Sequence, residues 1–264
     1  TALPPLSLYV HLPWCVRKCP YCDFNSFEAR EPLAEDRYVD ALIADLESAL
    51  PLIWGRPVVS IFIGGGTPSL FSARPIDGLL SGIRARLPLA GDCEITLEAN
   101  PGTVEAQKFR DFRSGGVNRL SIGIQSFQPR HLVALGRIHD DAEARRAVEA
   151  ACHAFDLINL DLMYCLPGQT LAEALLDVKE AVSWQTPHLS FYHLTIEPDT
   201  VFHRRPPKIP DPDEAAEIED AVHAALVDGG FEQYETSAFA REGRRCRHNL
   251  NYWEFGDYLG LGAG

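Results

Sequence analysis

Between Leu8 and Phe27 the chain reads LYVHLPWCVRKCPYCDFNSF, and Cys15, Cys19 and Cys22 stand there in the spacing Cys-x3-Cys-x2-Cys. Pro13 and Pro20 interrupt the run, and a proline removes a backbone donor and fixes its own φ, so no regular helix passes through it. A loop that turns back on itself can direct three sulfurs toward one centre. Free thiols so crowded are an oxidation liability, so the spacing asks for a disulfide or a metal. A disulfide plus a spare thiol needs an oxidising compartment, which nothing here suggests. A structural zinc site would take the three sulfurs and His11. A [4Fe–4S] cluster on three cysteines leaves one iron without a protein ligand, open to a small chelating molecule.

The rest of the composition narrows the setting. At 264 residues, 46% of them hydrophobic, the chain suffices for one large core or two small ones in a soluble protein. No apolar run is long enough to span a bilayer, and no secretory signal stands at the start. Cys93, Cys152, Cys165 and Cys246 are scattered, as in a reducing cytoplasm, although a processed mitochondrial protein would look the same. The formal charge of −13 argues against binding a nucleic-acid backbone, and the basic stretches Arg17–Lys18 and Arg241–Arg247 are too short to reverse that. The last residues, GLGAG, resemble a loop more than a terminating element, so a further region is expected beyond Gly264.

Periodicity predicts strands over Leu6–Leu12, Val58–Ile63, Glu94–Glu98, Arg119–Ile124, Leu157–Met163 and His188–Ile196. Helical spacing alternates with them over Ala34–Leu50, Pro75–Leu87, Thr103–Arg113, Asp141–Ala154, Leu171–Ser183 and Pro212–Asp228, with Thr103 as an N-cap. A seventh unit is expected to open with a strand over Glu232–Thr236. Repeated βα units imply a parallel sheet covered by helices, either doubly wound or closed toward a barrel. In both, ligands sit at the C-terminal ends of the strands. The polar residues gather there: the cysteine loop, Gly64-Gly65-Gly66-Thr67, Glu98-Ala99-Asn100, Gln125-Ser126, Asp161 and Thr195-Ile196-Glu197. The glycine triplet lacks dinucleotide spacing, but bare backbone there can approach a ligand closely.

Taken together, YVHLPWCVRKCPYCDF, IFIGGGTPSL, ITLEANP, LSIGIQSF, LDLMYCLPGQT and CRHNLNYW resemble the radical SAM branch that holds oxygen-independent coproporphyrinogen III oxidases and HemW-type haem chaperones. The resemblance runs from Leu8 to Gly262. It implies an α/β fold, a partial (β/α)6 TIM-like barrel over residues 1–230, with 231–264 beginning a C-terminal region. It implies a [4Fe–4S] cluster on Cys15, Cys19 and Cys22, whose open iron S-adenosylmethionine (SAM) would chelate. Tyr9, Gly65, Gly66, Thr67, Glu98, Gln125, Arg137 and Asp161 match SAM-contacting positions. Tyr9 also suits the barrel core, and Arg137 with Asp161 also suits a buried ion pair. The implied chemistry is reductive cleavage of SAM to methionine and a 5′-deoxyadenosyl radical, with Tyr21 shielding the cluster; no catalytic residue is assigned.

Within the branch, the oxidases carry a further cysteine where this chain has Phe24, and an extension before the first strand that is missing here. His248-Asn249-x-x-Tyr252 matches a pattern of the HemW-type chaperones, so His248, with Asn249 and Tyr252, is expected to contact haem; Cys246 is a second axial candidate. Cys165 stands where the family's LMYGLPGQT has glycine. The expected function is haem binding and transfer to an acceptor protein, with an electron donor for the cluster. The alternatives are coproporphyrinogen III dehydrogenase and a zinc-stabilised binding protein without a redox role.

Overall fold

The structure is a computed structural model that describes residues 3–53, 55–103 and 106–264. In chain order its main elements are β1 (Leu6–Leu12), α1 (Glu35–Ile53), β2 (Val58–Gly65), α2 (Ala73–Arg84), β3 (Leu89–Ala99), α3 (Ala106–Gly115) and β4 (Arg119–Gln125). The short α4 (Pro129–Ala134) precedes α5 (Asp141–Ala154), β5 (Leu157–Tyr164), α6 (Leu171–Ser183), β6 (His188–His193), the single turn α7 (Val201–Arg204) and α8 (Pro212–Asp228). The chain closes with β7 (Glu232–Gln233), β8 (Ala238–Ala240), α9 (Arg247–Trp253) and β9 (Asp257–Leu261).

β1 to β6 lie side by side in sequence order, all parallel, so the winding never reverses. A doubly wound sheet needs such a reversal; this is a partial TIM-like barrel. It does not close. β9 adds parallel to the outer edge of β1, while β8 and then β7 extend β6 in antiparallel fashion. The expected seventh unit is therefore corrected. Only Glu232–Gln233 is strand, and a turn brings β8 back against β6 instead of another parallel strand.

Alternation along each strand sets the two faces. Leu8, Val10, Ile61, Ile63, Ile95, Leu97, Leu120, Ile122, Ile158, Leu160, Leu189 and Phe191 are buried in one core under the helices. Their neighbours turn into the barrel, and the register sets them in polar rows: Ser7 beside Ser60, Ser60 beside Glu94, Glu98 beside Ser121, Ser121 beside Asn159, and Asn159 beside His188.

Three helices begin at the expected residues, and each has a capping box: Asp140 with Glu143, Thr170 with Glu173, and Asp211 with Glu214. Thr103 ends a 3-10 turn over Pro101–Thr103, and its hydroxyl donates to the Asn100 carbonyl at 2.8 Å. Residues 104 and 105, within the expected helix, lie outside the described residues.

Candidate cluster and SAM site

The cysteine loop covers the C-terminal mouth of the barrel. Trp14–Cys15 pairs with Phe27–Glu28, and the backbone N–H of Cys22 donates to the Cys19 carbonyl at 3.1 Å, which folds the loop on itself. Cys15 is buried, Cys19 and Cys22 half-buried. The glycine triplet carries this loop. Gly66 N–H donates to the Leu12 carbonyl at 2.8 Å and Thr67 N–H to that of Trp14 at 2.7 Å. A Cβ on Gly66 would stand 2.6 Å from the Trp14 carbonyl oxygen, and Gly65 has φ +119. The glycines are thus required by the seating of the cysteine loop itself, beyond any approach to a ligand.

Under the loop lies a cavity of about 550 Å³. Cys15, Cys19, Cys22, Gly65, Gly66, Thr67, Glu98, Gln125, Arg137 and Asp161 all line it. Tyr9 does not. Its ring stacks against Phe62 at 6.4 Å inside the barrel, and its hydroxyl lies 3.0 Å from His11 Nδ1.

The charged groups are held differently. Glu98 Oε2 accepts from Gly65 N–H at 3.1 Å, and burial, reinforced by the nearby Asp161 charge, pushes the Glu98 carboxyl up to about 8. Burial lifts Asp161 to about 6, against hydrogen bonds from Ser121 at 2.8 Å and Asn159 at 2.7 Å that favour its charged form. Arg137 donates to the Gly123 carbonyl at 2.8 Å and approaches the Cys19 sulfur and the Tyr21 hydroxyl, each at 3.4 Å. No ion pair joins it to Asp161 among the described residues, so the buried-bridge alternative is not what forms. Its Nε is buried without a partner. Gln125 takes φ +68 at the end of β4, a conformation that costs a non-glycine residue about 1–2 kcal/mol, and its Oε1 accepts from Tyr192 Oη at 2.6 Å.

Three observations bear on what this donor set suits. Both ring nitrogens of His11 are engaged, Nδ1 by Tyr9 and Nε2 by the Asn25 carbonyl at 2.8 Å, so it cannot complete a zinc tetrahedron. No three such donors converge on one point among the described residues. A cubane does not ask them to, since each sulfur binds a different iron. The cavity beside the sulfurs offers two carboxylates, a guanidinium with an unpartnered nitrogen and bare backbone. These fit a ligand carrying both cationic and carboxylate groups, as SAM does.

Sequence reasoning placed Asn100 in the polar rim but did not single out Ser121, Tyr192, His193 or Met163, which also line the cavity. Inward alternation on β4, β5 and β6 carried the signal for Ser121, Met163 and Tyr192; Asn100 and His193 stand at the C-terminal strand ends.

The residues expected to meet haem lie elsewhere. α9 plugs the N-terminal end of the barrel, opposite the cysteine loop. His248 is 3% exposed, with Nδ1 3.0 Å from Ser60 Oγ and its ring stacked on Phe62 at 5.0 Å. Burial lowers it to about 4. Cys246 is buried with its thiol 3.3 Å from Glu94 Oε1, and Asn249 reaches Tyr234 Oη at 3.4 Å. Neither His248 nor Cys246 presents a free axial ligand while α9 is seated. Tyr252 and Trp253, 40% and 55% exposed, form its open face.

The sequence model of the Radical SAM superfamily matches residues 9–181. The chain is 55% identical over 263 residues to the heme chaperone HemW of Escherichia coli strain K12, covering 99% of this chain and 70% of that protein. It is 53% identical over 267 residues to the heme chaperone HemW of Haemophilus influenzae, covering 99% and 70%. Among solved structures it is similar to coproporphyrinogen III oxidase HemN from Escherichia coli, described as a radical SAM enzyme, with a TM-score of 0.86 and 28% identity over 99% of this chain and 64% of that one. The chain thus spans 70% of the length of these two HemW relatives and under two thirds of that oxidase.

Proposed function

The chain belongs to the radical SAM superfamily and, within it, to the HemW heme chaperones, and from that membership we propose that it binds a [4Fe–4S] cluster, SAM and haem, and passes haem to an acceptor protein. The single observation that supports the cofactor reading is the meeting of Cys15, Cys19 and Cys22 with Glu98, Arg137 and Asp161 around one cavity. When bound, the cluster supplies an electron and an open coordination position.

The chain's own residues do the rest. Cys15, Cys19 and Cys22 hold the irons, and Tyr21, half-buried beside Cys19, shields them from water. Gly65, Gly66 and Thr67 line the cavity wall below the cluster. Glu98 and Asp161 take the cationic and hydroxyl groups of SAM, Arg137 takes its carboxylate, and Gln125 orients it. Tyr9 acts through His11, holding the strand that leads into the loop. Haem meets the open aromatic face of α9 at Tyr252, and ligation by His248 requires α9 to unseat; Asn249 releases Tyr234 in the same movement.

Phe24, at the place of the oxidases' additional cysteine, weighs for the chaperone over a coproporphyrinogen III dehydrogenase. The test is anaerobic, on protein with a reconstituted cluster. Haem is titrated into wild type and His248→Ala while the Soret band is followed, and parallel samples receive coproporphyrinogen III, SAM and reductant. Stoichiometric haem binding, weakened in His248→Ala and without decarboxylated product, is expected. Catalytic formation of protoporphyrinogen would overturn the reading in favour of the dehydrogenase.

A further inference from the structure

A line of hydrogen bonds crosses the barrel interior from α9 to the SAM cavity. At the floor, Cys246 N–H donates to Tyr234 Oη at 3.2 Å and Asn249 Nδ2 does so at 3.4 Å. Tyr234 Oη lies 2.7 Å from His188 Nε2, and His188 Nδ1 lies 2.6 Å from Asn159 Oδ1. Asn159 Nδ2 donates to Asp161 Oδ1 at 2.7 Å and to Ser121 Oγ at 2.8 Å, and Ser121 Oγ donates to Asp161 Oδ2 at 2.8 Å. His188 and Asn159 are 1% and 5% exposed, so no bulk water substitutes for these partners.

Donor and acceptor chemistry fixes the direction of the line. The Cys246 N–H and Asn249 Nδ2 fill both lone pairs of the Tyr234 hydroxyl, so it gives its own hydrogen to His188 Nε2. His188 then carries its proton on Nδ1 and donates to Asn159 Oδ1. The other tautomer would set a lone pair against Asn159 Oδ1 at 2.6 Å. Asn159 has Oδ1 committed to His188 and to Ser190, which donates at 3.1 Å, and so turns both amide hydrogens toward Ser121 and Asp161. Every donor points the same way, and aligned hydrogen bonds in a low dielectric polarise one another. They end on the carboxylate that lines the cavity.

We propose that Asn159, His188 and Tyr234 are positioning residues for the Asp161 carboxylate, and that through them the seating of α9 governs how tightly the cavity holds SAM. This rests on the reading of Asp161 as a SAM contact. By reciprocity, SAM in the cavity tightens α9 at the opposite end of the barrel. The helix assigned to haem and the cavity assigned to SAM are then two ends of one coupled element.

The test uses anaerobically reconstituted protein, with iron and sulfide content matched among wild type, Tyr234→Phe, Thr96→Val and Asp161→Asn. SAM affinity is measured by equilibrium dialysis, and amide exchange is followed at residues 246–253 with and without SAM. Tyr234→Phe removes one hydroxyl that does not line the cavity and is expected to weaken SAM binding by about three- to tenfold, the span given by one buried hydrogen bond. SAM is expected to slow exchange at the Cys246 amide in wild type and to lose that effect in Tyr234→Phe. Thr96→Val deletes a barrel hydroxyl that is 1% exposed and has no hydrogen-bond partner among the described residues, and should keep wild-type affinity. Wild-type affinity in Tyr234→Phe, or equal weakening in Thr96→Val, would overturn the proposal. In the first case Asp161→Asn separates the causes: if it too binds SAM normally, the cavity assignment has failed; if it binds weakly, only the coupling has.

Discussion

Arg137 Nη1 stands 3.4 Å from the Cys19 sulfur, reaching from the turn after α4 across to the cysteine loop. In the proposed cluster site this sulfur binds iron as a thiolate, and the guanidinium sets a positive charge against it. The same group ties the loop to Tyr21 and to the Gly123 carbonyl on β4. Arg137→Gln is therefore expected to lower cluster retention about tenfold, the scale of a lost charged hydrogen bond. Iron and sulfide per chain after gel filtration check this. Arg137→Lys should not rescue it, because an ammonium cannot span three partners.

SAM affinity should rise with pH between about 5 and 9. Asp161, raised to about 6, and Glu98, raised to about 8, are neutral at the low end and charged at the high end, where they attract a cationic ligand. Glu98→Gln should flatten the upper part of that rise in a dialysis series.

The same shifts give the opposite sign for the stability of ligand-free protein. A carboxyl raised on folding stabilises the fold below its unfolded value and loses that contribution as pH rises through its folded value. From Glu98 the loss is complete above about 8. Glu98→Gln should therefore raise the Tm at pH 8.5 and change it little at pH 4, read by calorimetry.

Cys165 holds φ +57 at the end of β5 and is 1% exposed. Cys165→Gly should leave stability within about 1 kcal/mol, because relief of left-handed strain offsets the lost buried sulfur. Cys165→Val should cost about 2 kcal/mol or more, since a β-branched residue tolerates that backbone poorly. Urea unfolding distinguishes the two.

His248→Ala should destabilise the protein by about 2–4 kcal/mol, through a cavity beside Phe62 and an orphaned Ser60 hydroxyl. Faster amide exchange across α9 should accompany it.

Much of this was legible in one dimension because the information was local. The three helices whose ends match expectation, Asp141–Ala154, Leu171–Ser183 and Pro212–Asp228, announce themselves through a cap and an acid three residues on. The strand run Leu6–Leu12 is bounded by prolines on either side. The cysteine spacing and the glycine triplet lie within single loops, and the rule that ligands meet strand C-termini gathered Glu98, Gln125 and Asp161 around them.

What the chain order could not carry was anything built from residues far apart in sequence. Whether the sheet reverses or winds in order depends on strand neighbours, and β9 pairs with β1 from the other end of the chain. The glycine triplet reads as a ligand edge until Trp14 is found packed against it. His248 reads as a free ligand until Ser60, Phe62 and Glu94 are found enclosing α9. The sequence alone determined the chemistry on offer, because side-chain type and local spacing are properties of short stretches. Only the tertiary structure decided which of those groups face one another, because burial and hydrogen-bond partnership arise when the strands come into register.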